Sequence, residues 1–472
     1  MQKHARTLIV TTAALVLLAG AAWVLGRAPQ AKPPAAARET PRGYPMEGEI
    51  AFVRVTGDGY AYEVSEGQVT GIPDGMVDRA RALATLSRVG SAGPLALVEE
   101  RPADLAAYGL ARPVLRADVG YAGGKEVSLA IGNLEPVGKG RYCAVRGEDG
   151  VYLLGAAASD ALGLRAEDYL SLQVTPPLRA ASPLSAVLDI TFTGRDGEIV
   201  ILSCADPDEA MRREALSFGA VTHLVRGPGV YHELDRTYAT GVFGSLFGIT
   251  AAKVEAYGLS PDEVDQMGFA DPDLTVRFVM RNGDAPGTPK EDWGIRALRQ
   301  GDGSVLLAVD GRGAVYRAQA PAFMEAAYSP FVLRQFVSPL LADVAELRVL
   351  SGGREVAFEV GGTPAAPEVR AGETSVDTAL FRRFYTLAVS AAADGEPLGL
   401  REVGGEPLAA IEYVYGDPGK RPDRLEFYAL DARKLAVSVN GVAEATMRRG
   451  FADALENAVA ALLEARDFGQ GW

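Results

Sequence analysis

The sequence RPADLAAYGLARPVLRADVGY, at Arg101–Tyr121, recurs as SPDEVDQMGFADPDLTVRFVM at Ser260–Met280, 159 positions further along the chain. In both copies a proline and an acidic residue precede a glycine, and a second proline precedes alternating apolar residues. A shorter third copy begins at Pro397. The spacing far exceeds the roughly 20 to 50 residues of a solenoid repeat, so it predicts whole domains repeated in tandem.

Each copy of this motif predicts a short helix that stops at a glycine before a strand. Proline is accepted at the first helical position, where its missing N–H has no partner to lose. Glycine readily adopts the left-handed conformation that closes a helix, and the apolar residue after it completes a Schellman closure. The motif positions are Pro102, Tyr108, Gly109, Leu110 and Pro113, then Pro261, Gly268, Phe269 and Pro272, and finally Gly399 and Leu400.

The residues before each glycine predict which side of the motif is buried. Leu105 and Tyr108 are three apart, as are Val264 and Met267, so each pair would share one buried face of a two-turn helix. The residues after each copy alternate between apolar and polar, which predicts a strand with one buried face. Because Met267 stands where the first copy has Tyr108, the motif is interpreted as structural, without a catalytic, cofactor or metal role.

The 472 residues predict an α+β protein of three tandem homologous units. Each unit would contain an antiparallel hairpin, a helix, a short glycine-stopped helix, an antiparallel meander and a second helix. The predicted boundaries are 47–180, 181–340 and 341–472 for repeat units one, two and three. The longer helices are expected at 76–89, 156–170, 234–253, 378–391 and 447–465.

The N-terminal 26 residues predict a short cytoplasmic tail and one transmembrane helix. Leu8–Gly26 is an uncharged, mostly apolar run of about the length that spans a bilayer. Lys3 and Arg6 precede it, which favours a cytoplasmic N-terminus and an exported body. Residues 27–46 are rich in proline and alanine and predict a tether. Cleavage near Ala19-Gly20-Ala21, giving a secreted protein, is the alternative.

The charge and the scattered reactive residues exclude several function classes. A net charge of −14 disfavours nucleic acid as a partner. The three histidines lack the spacing of a metal site, and His223 and His232 are expected at the surface or in turns. Cys143 and Cys204 fall in different predicted units and are interpreted as two buried thiols, with a disulfide as the alternative. No cofactor is expected.

Several short patterns resemble catalytic or ligand-binding motifs but lack a necessary residue. The glycines at 227–229 and 311–313 lack the third glycine of a dinucleotide loop and predict hairpin turns. The serine of Gly244–Gly248 is misplaced for a nucleophile elbow. The acidic runs at 206–209 and 271–273 are interpreted as a loop before a helix and as the proline turn of the motif.

The motif resembles the bacterial family catalogued as domain of unknown function 4340. The resemblance is carried by Asp104–Leu110 with Pro113, and by Gly268-Phe269 with Pro272. It implies a membrane-tethered extracytoplasmic protein, often encoded beside ABC-type transporter components such as those of the gliding machinery. It implies no catalytic residues.

These patterns favour a non-enzymatic function. The first hypothesis is a membrane-anchored extracytoplasmic accessory or scaffold protein that supports an ABC-type transporter permease or another envelope complex. The alternative is an extracytoplasmic glycan- or peptide-binding module, which predicts a concave, aromatic-lined groove between units. A carboxylate hydrolase is the third hypothesis, and it requires two acids facing each other in a cleft.

Overall fold

A computed structural model describes residues 49–92, 95–195, 197–205, 215–217, 221–227, 230–363, 365–394 and 403–472. The predicted transmembrane helix, the tether, the acidic run 206–209, and Gly399 with Leu400 lie outside these residues. The chain has two compact units, one ending at Ser171 and the other beginning at Leu172. The fold is mixed α+β with mostly antiparallel sheets. No helix in the described part has both the length and the apolar composition to cross a membrane.

The first compact unit contains one eight-stranded sheet, in the order β3-β2-β1-β5-β6-β7-β8-β4. Its first strand is central because it pairs with the next strand on one side and with the strand after the repeated motif on the other. The strands are β1 (Ile50–Gly57), β2 (Tyr60–Ser65), β3 (Gln68–Val69), β4 (Ala96–Glu99), β5 (Leu115–Tyr121), β6 (Glu126–Leu134), β7 (Gly140–Val145) and β8 (Val151–Gly155).

The second compact unit contains two sheets. The second sheet has the order β12-β11-β10-β9-β14-β15-β16-β17-β13, and the third has β21-β20-β19-β18-β22-β23-β24-β25. The strands of the second sheet are β9 (Val187–Gly194), β10 (Gly197–Ser203), β11 (His223–Arg226), β12 (Tyr231–Glu233), β13 (Lys253–Tyr257), β14 (Leu274–Met280), β15 (Glu291–Arg299), β16 (Ser304–Val309) and β17 (Ala314–Gln319). Those of the third are β18 (Val344–Ser351), β19 (Arg354–Gly362), β20 (Pro367–Ala371), β21 (Thr374–Val376), β22 (Ala409–Tyr415), β23 (Asp423–Ala429), β24 (Lys434–Val439) and β25 (Val442–Arg448).

The central strand pair has the same register in all three sheets. Apolar side chains face each other across β1 and β5, β9 and β14, and β18 and β22, and one end of each pair carries a register shift. This alternation places one face of each strand in the core. The facing pairs include Val53 and Val119, Phe192 and Val276, and Leu347 and Tyr413, all nearly inaccessible to solvent.

An aspartate begins the main helix beside each sheet. The Asp78, Asp235 and Asp377 carboxylates accept hydrogen bonds from backbone N–H groups in the first turn. Each aspartate follows an apolar residue directly in the sequence. The described helices are α1 (Arg79–Gly90), α2 (Ala156–Leu162), α3 (Pro183–Ala186), α4 (Arg236–Gly244), α5 (Pro261–Val264), α6 (Tyr328–Phe331), α7 (Thr378–Val389) and α8 (Gly450–Leu463).

Replacing Asp78 with alanine should lower the free energy of unfolding of the first compact unit by about 1 kcal/mol, because the first-turn N–H of α1 loses its acceptor. Asparagine at this position should change it by only a few tenths, since asparagine caps a helix equally well. Denaturant titration followed by far-UV circular dichroism would measure both variants. Equal losses in the two would contradict a capping role.

Two predicted helices are shorter than the sequence suggested, whereas α1, α7 and α8 confirm three others. The helix expected at 156–170 ends at Leu162, before Gly163. The helix expected at 234–253 ends at Gly244, and a left-handed Gly248 turns the chain toward β13. Both interruptions occur where glycine, a poor helix former, stands inside an otherwise apolar pattern.

The buried carboxylate of Asp423 joins the third sheet to the Ser217 segment, which lies between β10 and β11 in the chain. Asp423 is fully inaccessible to solvent. It accepts hydrogen bonds from the Ser217 backbone N–H at 2.9 Å, the Tyr415 hydroxyl at 2.5 Å and the Asn440 side chain at 3.2 Å. Leu216, beside Ser217, packs into the core of the third sheet. This contact is one of those that join the two sheets within the second compact unit.

Candidate functional site

The first copy of the repeated motif forms the predicted glycine closure. Gly109 has a φ of +72°. Its N–H donates to the Ala106 carbonyl at 3.0 Å, and the Leu110 N–H donates to the Leu105 carbonyl at 2.9 Å. These two bonds define a Schellman motif, and Leu110 is buried beneath it. The prediction of this closure is confirmed.

The prediction of a helix before Gly109 is wrong, because residues 101–109 form turns and bends. Arg101 offers no side-chain oxygen to cap a helix, and Asp104 instead accepts from the Ala106 N–H at 2.8 Å. Pro102 therefore does not occupy a helical first position. The second copy does begin a helix, α5, in which Ser260 and Glu263 form a reciprocal capping box around Pro261.

The second copy also ends at a left-handed glycine, because Gly268 has a φ of +103° and Phe269 after it is buried. The predicted buried pairs are wrong in both copies. Leu105 is 42% exposed and Met267 37% exposed, although Val264 is buried. The turn in the first copy and the glycine kink in the second both rotate these side chains off the expected helical face.

Both glycines lie against the second strand of the following hairpin. A Cβ on Gly109 would be 2.4 Å from Asn133 Oδ1, whereas a Cβ on Gly268 would be 3.2 Å from Leu298 Cδ1. Asn133 lies in β6, and Leu298 lies in the corresponding strand, β15. The motif therefore packs in the same place twice, as a structural element.

The second proline of each copy lies shortly before a strand, as predicted. Pro113 lies two residues before β5, and Pro272 lies two residues before β14. Asp273, in the acidic run after Gly268, accepts from the Arg299 backbone N–H at 2.8 Å and pairs with Arg195 at 3.0 Å. Its carboxylate thus fixes the turn.

Tyr108 connects the motif to an edge strand that the sequence did not predict. Its hydroxyl donates to Glu99 Oε2 at 2.6 Å, and this bond raises the pKa of Tyr108 above its usual range. Its ring packs edge-on against Tyr142, with centroids 5.0 Å apart. Glu99 ends β4, which pairs with β8 at the edge of the sheet. The contacts of Tyr108 position β4.

His223 and His232 are buried, which corrects their expected position at the surface or in turns. They lie in β11 and β12, where consecutive residues on both faces of the strand are buried. The His223 Nε2–H donates to the Val187 carbonyl at 2.9 Å. Burial lowers the pKa of His223, so the ring stays neutral. An isolated histidine has no periodicity by which the sequence could reveal burial.

The two cysteines are free thiols, as the first interpretation expected. Cys143 is fully buried in β7, whereas Cys204 is only partly buried after β10. Burial raises the pKa of Cys143 to about 12 and that of Cys204 to about 11. Neither thiol forms the reactive thiolate near neutral pH.

Both thiols should react slowly with a disulfide reagent at pH 8 in the folded protein and rapidly after denaturation. The raised pKa values also predict that stability is retained below about pH 9 and falls above it, because only the unfolded chain then loses its thiol protons. Replacing Cys143 with alanine should flatten this alkaline decline. Thiol titration with and without urea tests the reactivity, and fast reaction of native Cys143 would contradict it.

A cavity of about 580 Å³ lies in the second compact unit, between the second and third sheets. Asp235 and Tyr238 line it from the start of α4, and Arg334 and Phe336 line it from the connection between the sheets. Asp394 lines it from the segment that follows α7. The cavity combines aromatic, apolar and oppositely charged groups, as ligand sites do.

The connecting segment 331–336 is held on both sides of the cavity. The Leu333 N–H donates to the Glu233 carbonyl at 2.8 Å, beside α4. Further along, the Ala393 N–H donates to the Arg334 carbonyl at 2.7 Å, and the Phe336 N–H donates to the Ala391 carbonyl at 3.1 Å. The wall is therefore preformed, which favours binding without a large rearrangement.

A second cavity, of about 490 Å³, is less suited to a ligand. It lies beside Gly194, and two arginines line it. Arg195 pairs with Asp273 at 3.0 Å and Arg299 with Glu325 at 2.7 Å, so both charges already have partners within the protein. The larger cavity is thus the stronger candidate site.

Fold and cavity together define an α+β protein of antiparallel sheets, each built around the same central strand pair. Residues 71–200 match the family described as Domain of unknown function (DUF4340), which confirms the resemblance read from the repeated motif. No curated protein and no solved structure matches the chain.

Proposed function

We propose that this protein is a non-catalytic, membrane-anchored extracytoplasmic accessory or scaffold protein that supports an ABC-type transporter or another envelope complex. In this proposal three tandem homologous units follow one N-terminal transmembrane helix, Leu8–Gly26. The observation that carries the proposal is the recurrence, in all three sheets, of a central strand pair followed by a meander of three strands. Three similar sheets, each with an aspartate-capped helix, offer repeated surfaces for a partner.

The charge of the chain suggests the nature of that partner surface. The net charge is −14, so electrostatic attraction favours a partner with a basic face. Binding through such a face should weaken as salt is raised, because exposed charges are screened over about 8 Å at physiological ionic strength.

Localisation and partnership can be tested with the full chain and one matched variant. A C-terminal reporter that is active only outside the cytoplasm should be active, and the protein should remain in membranes after an alkaline wash. In the variant, a cleavable signal peptide replaces Leu8–Gly26, and the body should become soluble. Purification in mild detergent should recover a transporter permease or other envelope protein with the full chain. Recovery of the protein alone from several detergents, or an inactive reporter, would contradict the proposal.

A second candidate function is extracytoplasmic glycan or peptide binding. The cavity between the second and third sheets favours it, because Tyr238, Tyr328 and Phe336 line a space of about 580 Å³, within the range of small-molecule sites. A thermal-shift screen of the full chain with short glycans and peptides would test it. Absence of any shift at millimolar concentration would remove this candidate.

A further inference from the structure

We propose that the cavity between the second and third sheets binds a short peptide by both free ends. Arg334 would bind the peptide carboxylate, and Asp235, with Asp394 nearby, would bind the ammonium group. This assignment rests on the second candidate function and gives it a ligand class. It is independent of membrane anchoring and of any protein partner.

The charged groups of the cavity have capacity left for a ligand. Arg334 is solvent-exposed and lines the cavity, and it forms no ion pair among the residues that the structure describes. Asp235 uses Oδ1 to cap α4 and has no described hydrogen-bond partner at Oδ2. Asp394 is an exposed residue, and its carboxylate accepts a long bond from the Thr446 hydroxyl at 3.4 Å and lies 3.9 Å from Arg448. A guanidinium binds a carboxylate well, and an aspartate binds an ammonium group.

The backbone places Asp235 and Arg334 on two adjacent segments. The Asp235 N–H donates to the Phe331 carbonyl at 2.7 Å, and Arg334 follows Phe331 by three residues. Both residues line the same cavity, and its volume of about 580 Å³ favours a short peptide over a free amino acid.

The remaining lining suits the side chain of such a peptide. Pro330, Val332, Leu333 and Phe336 add an apolar wall to the cavity. A cavity of about 580 Å³ accommodates a ligand of this size. A neutral sugar could form hydrogen bonds here but would gain no attraction from the charges of Arg334 and the two carboxylates. Charges of both signs beside an apolar wall thus favour a peptide.

Titration calorimetry on the full chain in mild detergent can test both ends separately. The probes are Ala-Leu-Ala with free ends, its N-acetylated form, its C-amidated form, free leucine and a neutral disaccharide. The variants are Arg334→Gln and Asp235→Asn, which keeps a helix cap. Arg348→Gln is the matched control, because Arg348 pairs with Glu346 and Glu412 on the third sheet, outside the cavity lining.

Arg334→Gln should weaken binding of the free tripeptide at least tenfold and should leave the amidated form unchanged. Asp235→Asn should weaken binding of the free tripeptide at least tenfold and should leave binding of the N-acetylated form unchanged. Arg348→Gln should change neither. Overturning results are no binding of any peptide, equal losses with free and capped peptides, or leucine binding as tightly as the tripeptide. Binding of the disaccharide alone would also overturn the peptide assignment while leaving the second candidate function intact.

Discussion

Replacing Asp423 with alanine is expected to lower the free energy of unfolding of the second compact unit by about 3 kcal/mol. The carboxylate is fully buried and accepts hydrogen bonds from Ser217, Tyr415 and Asn440. Its loss leaves these buried donors without an acceptor, and each unsatisfied group costs about 1 to 3 kcal/mol before water or neighbouring groups compensate. Burial and the Asp423 charge raise the pKa of Tyr415, so its hydroxyl remains a donor.

Tryptophan fluorescence during urea unfolding would measure this effect, since Trp293 and Trp472 both lie in the second compact unit. The control is Asp453→Ala, at an exposed position in the first turn of α8, which should change stability by less than about 0.5 kcal/mol. A similar small change at Asp423 would show that the buried carboxylate does not hold the Ser217 segment in place.

Replacing Gly109 with alanine is expected to destabilise the first compact unit by about 3 kcal/mol. Alanine is strained at a φ of +72°, and its Cβ would lie 2.9 Å from the Asn133 backbone nitrogen, which cannot move without disturbing β6. At Gly268 the same change should cost about 1 to 2 kcal/mol, because only the end of the Leu298 side chain is close. The strain is common to both sites, but the clash with backbone is not.

Substitutions at Gly123 and Gly124, two glycines of one turn, separate the conformational cost of a positive φ from the cost of the clash. Gly124 has a φ of +77° with open space around it, so Gly124→Ala should show the conformational cost alone, about 1 kcal/mol. Gly123 also has open space around it but lacks a positive φ, so its replacement should be nearly neutral. Hydrogen exchange in β5, followed by mass spectrometry, would rank the variants. A Gly109→Ala effect no larger than that of Gly124→Ala would rule out the predicted clash.

Local backbone chemistry was readable from the sequence. Gly109 and Gly268 were expected to close a helix because only glycine adopts left-handed φ freely there, and Pro113 and Pro272 were expected to begin strands. The period-two alternation of the following strands located β5 and β14. The edge strands β4 and β13 were missed, since each is short and shows no clear alternation.

Long-range contacts could not be predicted in the same way. The three helix-capping aspartates carry a recognisable signal, an apolar residue followed by Asp before a helix. Asp423, in contrast, is separated from Ser217 by 206 positions, and nothing near either residue indicates their bond. The cavity likewise combines Asp235, Arg334 and Asp394, which come from three distant segments. Such sites depend on how elements pack, which a single sequence does not encode locally.

The connecting segment 331–336 has a consequence for mechanical load. It is bonded laterally to Glu233 at one end and to Ala391 at the other, and Ser338 just beyond it donates to the Ser217 carbonyl. Tension along the chain cannot straighten this segment without peeling those bonds apart. The second and third sheets should therefore yield as one body under force.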